Sequence, residues 1–213
     1  MSAFLVVSLS WTAPLDRPQS GWRCQPPRCA VVADVCQQLG CSEATAQKTE
    51  SRLKHRGNFI SHEHAVGTCQ ALQSRLGLSE AQLQKVVVAL PQVLGLCFES
   101  NIAPSLASLQ SRLGLSEAQL QKVVVAQPQV LSYSFESNIA PKLNFLQREL
   151  DLSLTALREC VLARPSLLGY SQDRRFAQRL EACRLAGADP MLIIGRVAMS
   201  DARFYSSIGL EPP

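Results

Sequence analysis

An all-α solenoid of tandem helical repeats is the fold class this sequence predicts. Three observations carry that expectation: a 37-residue internal repeat, the same helix start and stop residues in each copy, and apolar stripes at helical spacing.

The repeat is read directly. Residues 71–106 run ALQSRLGLSEAQLQKVVVALPQVLGLCFESNIAPSL, and residues 108–143 run SLQSRLGLSEAQLQKVVVAQPQVLSYSFESNIAPKL; offset by 37, they agree at 30 of 36 positions. A diverged copy over 145–180 keeps Leu146, Leu150, Leu152, Ser153, Pro165, Leu168, Tyr170 and Ser171 in register. Backwards, Leu39-Gly40-Cys41-Ser42 lies 37 residues before Leu76-Gly77-Leu78-Ser79, and Lys48 lies 37 before Lys85. The predicted repeats are therefore 34–70, 71–107, 108–144 and 145–181, with a partial fifth over 182–210 where Pro190 stands near the recurring Ser. Terminal copies are expected to be atypical, because one face meets solvent instead of a neighbour.

Within a copy, Ser79 and Ser116 with Gln82 and Gln119 three residues on form capping boxes that open a helix. That helix should stop near Ala89 and Ala126, since Pro91 and Pro128 cannot continue it. The following Pro-Gln-Val-Leu suits a single 3₁₀ turn. Ser100 or Ser137 is expected to open the second helix, with Pro104 or Pro141 in its first turn and Gly77 or Gly114 as the left-handed cap ending such a helix. Ile102, Leu106, Leu109 and Leu113, repeated as Ile139, Leu143, Leu146 and Leu150, make its apolar stripe. One copy cannot bury both helices' stripes; stacked copies can.

Composition agrees. Apolar residues are 46% and charged residues 18%, with aromatics at only 6%, which favours helix-on-helix packing over a β-sandwich. No apolar run reaches the roughly 18–20 residues that span a bilayer, so a soluble protein with no membrane partner is expected. Before the repeats, Met1–Pro14 is uncharged and apolar, and Arg17, Arg23 and Arg28 follow in a Pro/Ser/Gln/Cys-rich stretch. The first resembles a signal core and the second a transit peptide, so residues 1–30 are expected to be a removable address or disordered, outside the fold.

Eight cysteines raise a metal or disulfide reading. Cys24-x4-Cys29 and Cys36-x4-Cys41 do not have the usual zinc spacing. The repeat register is simpler: Cys41 aligns with Leu78, Cys69 with Leu106, Cys160 with Val123 and Cys183 with Leu146, which makes all four small apolar core residues with no metal. His55, His62 and His64 lie in the first copy, and i and i+2 on a helix point apart. No nucleophile–base pair or phosphate-cradling glycine loop is present, so no enzyme, cofactor or small-molecule substrate is expected.

Basic residues are the remaining candidates. The net charge is +4, with four Lys/Arg against four Asp/Glu in 71–139 and ten against eight in 140–213. Arg75/Arg112 and Lys85/Lys122 recur at fixed repeat positions, and a fixed position becomes a row along a solenoid. Lys142, Arg148, Arg158, Arg164, Arg174, Arg175 and Arg179 extend the set. If nucleic acid is the partner, Arg112 and Lys122 should share one electropositive groove with Arg158, Arg164, Arg174, Arg175 and Arg179. Glu80 and Glu117 in the same turns argue for ordinary solvated faces instead.

The run LGLSEAQLQKVVVAQPQVLSYSFESNIAPKLNFLQREL resembles a repeat of the mitochondrial transcription termination factor (mTERF) family: an LGLS entry, a helix ending in Val, a Pro-x-Val-Leu turn, then Ser-x-Glu-x-Asn-Ile-x-Pro-Lys-Leu-x-Phe-Leu. That likeness covers 71–180 best, with Gln178 standing where the earlier copies have Pro. It implies a left-handed superhelix of two α-helices and a 3₁₀ turn per repeat. It also implies a mitochondrial or chloroplast address and non-catalytic binding of nucleic acid, duplex DNA above structured RNA, in transcription, its termination or transcript processing. A monomer is expected. The alternative is an α-solenoid scaffold for protein partners. A pentatricopeptide-like RNA reader is disfavoured by the period and by the Pro-x-Val-Leu turn.

Overall fold

The computed structural model describes residues 30–51 and 60–211, and all regular structure among them is helical. The expected address over 1–30 lies almost wholly outside the described residues, as does His55. Eleven α-helices are described: α1 Ala30–Gln38, α2 Glu43–Ser51, α3 His62–Leu76, α4 Glu80–Ala89, α5 Ala103–Leu113, α6 Glu117–Ala126, α7 Ala140–Glu149, α8 Leu154–Ala163, α9 Gln178–Ala186, α10 Leu192–Gly195 and α11 Asp201–Ser206. The first helices of successive repeats, α2, α4, α6 and α8, stack in order. Each second helix packs on the first helix of the next repeat or the one after, as α3 does on both α4 and α6 and α5 does on α8.

The local chemistry explains the boundaries. Ser79 and Ser116 accept from the backbone N–H of Gln82 and Gln119, whose side chains accept from the Ser N–H in return, so two otherwise unpaired donors are satisfied at each start. Leu90, Gln127 and Arg164 precede proline and sit at φ −134, −136 and −140, out of the helical region, because the proline ring excludes it there. Pro91–Gly95, Pro128–Ser132 and Pro165–Gly169 are the 3₁₀ turns.

The second helix differs from expectation. It is opened by Cys97, Ser134 and Ser171, three residues before Ser100 and Ser137, through a wide turn in which Ile102, Ile139 and Phe176 donate to the carbonyls five residues back. Pro104 and Pro141 lack an N–H for an ordinary fourth-residue bond, and the wider turn keeps their rings off the carbonyls they would strike. Proline is not the whole cause, since the turn persists over Gln172–Ala177, where Gln178 replaces it.

The stripes form one continuous core. Ile102, Leu106, Leu109 and Leu113 are all within 2% of full burial, each contributing roughly 1.5–3 kcal/mol. Leu150 is only half-buried, because α7 ends there and Asp151 takes φ 48 where Gly77 and Gly114 take 61 and 60. Cys41, Cys69 and Cys183 are buried as expected, and the six described cysteines are free thiols. Burial pushes the Cys36 thiol up to about 12, aided by neighbouring Cys41, and Cys69 up to about 11. Cys160 is half-buried, contrary to expectation. Its helix α8 is followed by α10, a single turn packed on α9, which cannot cover α8 as α6 covers α4. No described helix is long and apolar enough to cross a membrane.

Candidate nucleic-acid interface

Most of the recurring arginines close the joints between repeats. Arg75, at the end of α3, donates to Gln110 Oε1 at 3.0 Å and to Glu117 Oε2 at 2.6 Å, while Gln110 Nε2 donates to the other Glu117 oxygen. The Arg75 and Gln110 hydrogen bonds hold the Glu117 carboxyl below the usual carboxylate range. One repeat on, Arg112 donates to Gln147 Oε1 at 2.7 Å and Asn144 Oδ1 at 3.0 Å. One further on the sign reverses: Glu149 accepts from Arg184 at 2.9 Å. Arg148 also pairs with Glu149, at 2.9 Å, from a largely exposed side chain.

A second joint recurs at the left-handed caps. Gln84 Nε2 donates to Cys41 Sγ, Gln121 Nε2 donates to the Gly77 carbonyl at 2.8 Å, and in the next copy the Arg158 guanidinium lies against Gly114. Arg158 itself is half-buried, with its Nε buried and without a partner, so one edge of the guanidinium is packed into the joint.

A third joint takes two more candidates out of solvent. Lys142 is 4% exposed and donates to the Leu168 carbonyl at 2.6 Å and to Asn138 Oδ1 at 3.1 Å; burial pulls its amine down to about 8. Arg179 is 1% exposed; it donates to the Arg196 and Met199 carbonyls, forks onto Asp201 Oδ1, and lies over the Phe204 ring at 4.4 Å. Arg175 also bonds the Met199 carbonyl and pairs with Asp201 at 3.4 Å, with its guanidinium over the Tyr170 ring. Together they clamp the terminal cap of 196–206 onto α9. The expected single groove uniting Arg112, Lys122, Arg158, Arg164, Arg174, Arg175 and Arg179 is therefore corrected: Arg112, Arg175 and Arg179 are spent on internal acceptors, and Arg158 lies against the Gly114 cap.

What stays free is narrower. Lys85 and Lys122 are exposed on α4 and α6, and Lys48 occupies the same repeat position on α2. These three helices stack consecutively, so the ammonium groups form a row with neighbouring helix axes about 8–10 Å apart. No described hydrogen bond or ion pair engages them. The acids Glu43, Glu80 and Glu117 stand five residues earlier, which turns them roughly 140° away around each helix. In the next copy Glu159 takes the lysine position and ends the row. Arg164 at the end of α8 and Arg174 before α9 are the fourth repeat's exposed, unpaired cations.

Sequence reasoning placed Lys85 and Lys122 on a row but left Lys48 out of the site, although the 37-residue offset marked it. It missed the joints, whose signature is an Arg or Glu paired with a Gln or Arg 35 residues later.

The mTERF family model matches residues 29–205 of this chain. The chain matches no curated protein.

Proposed function

The chain belongs to the mTERF family, and on that premise we propose that it binds duplex nucleic acid without catalysis, in transcription or transcript processing within a mitochondrion or chloroplast. Family membership supports nucleic-acid binding, an organellar address and a role tied to transcription. The single observation that carries the interface is the exposed, unpaired row Lys48, Lys85 and Lys122 on stacked helices. Lysine is a hydrated point charge suited to phosphate without base readout, so affinity from this row is independent of sequence. Arg164 and Arg174 add charge in the fourth repeat, where Glu159 interrupts the row. Lys142 and Arg179 take no part, because their polar groups are buried in the joints. Duplex DNA is preferred to RNA, and the protein acts as a monomer.

The test is a titration of the purified chain against duplex DNA, duplex RNA and single-stranded DNA at two salt concentrations. The expected outcome is duplex binding that weakens steeply with salt. Absence of salt-dependent affinity for any of the three would remove the reading and leave the protein-scaffold alternative.

A further inference from the structure

A second surface, on different elements from the lysine row, carries a groove at each of two consecutive joints. The upstream groove, of about 490 Å³, runs between the start of α5 and the Leu131–Glu136 segment; the downstream one, of about 510 Å³, sits one repeat later. They are copies of one another. Ser100 and Asn101 in the first correspond to Ser137 and Asn138 in the second, and Ser134 and Glu136 correspond to Ser171 and Asp173. Tyr133 lines both, which makes it the shared wall of one two-site track.

The floors differ in one way that matters. Ser105 lines the upstream groove, and Lys142 takes its place downstream, with its ammonium 5.5 Å from the centre of the Tyr133 ring. The only charged residue lining the upstream groove is Glu136, which is exposed and joined to no cation. A cationic side chain entering there meets a carboxylate, serine and asparagine oxygens, and an aromatic face. The downstream groove already holds a cation against the same ring, which offsets its own carboxylate, Asp173, so a neutral hydrogen-bonding group fits it better than a second cation.

We propose that this track docks an extended segment of a partner protein, with a Lys or Arg side chain seated in the Ser105–Glu136 groove. Neighbouring repeats lie about 10 Å apart, so an extended chain at about 3.3 Å per residue places a polar, uncharged residue in the Lys142 groove roughly three positions away. Nucleic acid is disfavoured in these grooves, because the exposed carboxylates of Glu136 and Asp173 line them. The solenoid thus presents lysines to one partner and carboxylates to another.

The experiment is an amide chemical-shift titration of the isotopically labelled full chain with the peptide Ser-Gly-Gly-Lys-Gly-Gly-Ser, which sets an uncharged polar residue three positions from the lysine on either side. The same peptide carrying Glu for Lys and single-stranded oligothymidine are the controls. The lysine peptide should move the Ser100, Ser134 and Glu136 amides, and Glu136→Gln should weaken it about tenfold, as expected for one charge-assisted hydrogen bond. Ser105→Lys should abolish the effect while keeping the fold, since Lys142 is accommodated at the equivalent position. Shifts spread evenly over Glu43, Glu80 and Glu181, an unchanged response in Glu136→Gln, or oligothymidine moving the same amides would each overturn the proposal. Lys85→Ala and Lys122→Ala should leave the lysine-peptide response unaltered, which separates this surface from the lysine row.

Discussion

Arg184 donates to Glu149 at 2.9 Å in the place where, one repeat earlier, Gln147 accepts from Arg112 at 2.7 Å. The array closes one interface twice with the donor moved to the opposite partner. What is held constant between copies is a complementary pair across a 35-residue separation, and the sign of each member is free to invert.

That interchangeability is testable. Arg112→Glu should cost about 1 kcal/mol, because two hydrogen bonds are lost at a partly exposed site. Adding Gln147→Arg recreates the Glu149–Arg184 arrangement and should recover most of that loss in urea unfolding. A double variant as unstable as the sum of its parts would mean that the two positions do not meet in solution.

Asp151 occupies a left-handed backbone conformation, φ 48, at the position of Gly77 and Gly114. An L side chain there costs roughly 1–2 kcal/mol, and a carboxylate beside the carbonyl end of α7 adds unfavourable charge. Asp151→Gly should therefore raise stability by about 1 kcal/mol, while Gly114→Ala should lower it by a similar amount. Thermal unfolding midpoints moving in the same direction would contradict this account of the cap.

Lys142 predicts a pH dependence. Its amine titrates near 8 when folded and near its ordinary 10.5 when unfolded, owing to burial. Between those values the unfolded chain holds the extra proton, so stability attributable to this position rises with pH across that window, by at most about 3 kcal/mol. Cys36 and Cys69, raised to about 12 and about 11 from 9.0, act oppositely: their contribution is complete below pH 9 and is lost above it. Comparing the wild type with Lys142→Ser cancels the thiols. The wild type should gain on the variant between pH 7 and pH 10. A constant difference would mean that the amine stays hydrated.

The repeat, the capping boxes and the proline stops were legible because each is a local rule: a side chain bonds or blocks the backbone within four residues. The wide turn was not, since it depends on how Cys97, Ser134 and Ser171 open the second helix ahead of the proline. The basic set was misread in part for a physical reason. A fixed repeat position does make a row, but in a solenoid it also recurs opposite the same neighbour, and a long Arg reaches that neighbour before it reaches solvent. Burial of Lys142 could have been read, because it stands three residues after Ile139 and four before Leu146, on the apolar face. Arg179 repeats that position beside Phe176 and Cys183.

The most direct measurement is the salt dependence of duplex DNA binding by the full chain, compared with Lys85→Ala/Lys122→Ala and, as a control, Arg112→Ala. Removing two phosphate-contacting lysines should weaken binding at every sequence alike and make the slope of log Kobs against log salt shallower by roughly two. Arg112→Ala, which opens a joint and not the row, should keep the wild-type slope. A lysine variant with an unchanged slope, or a flattened slope in Arg112→Ala alone, would contradict the placement of the interface on Lys48, Lys85 and Lys122.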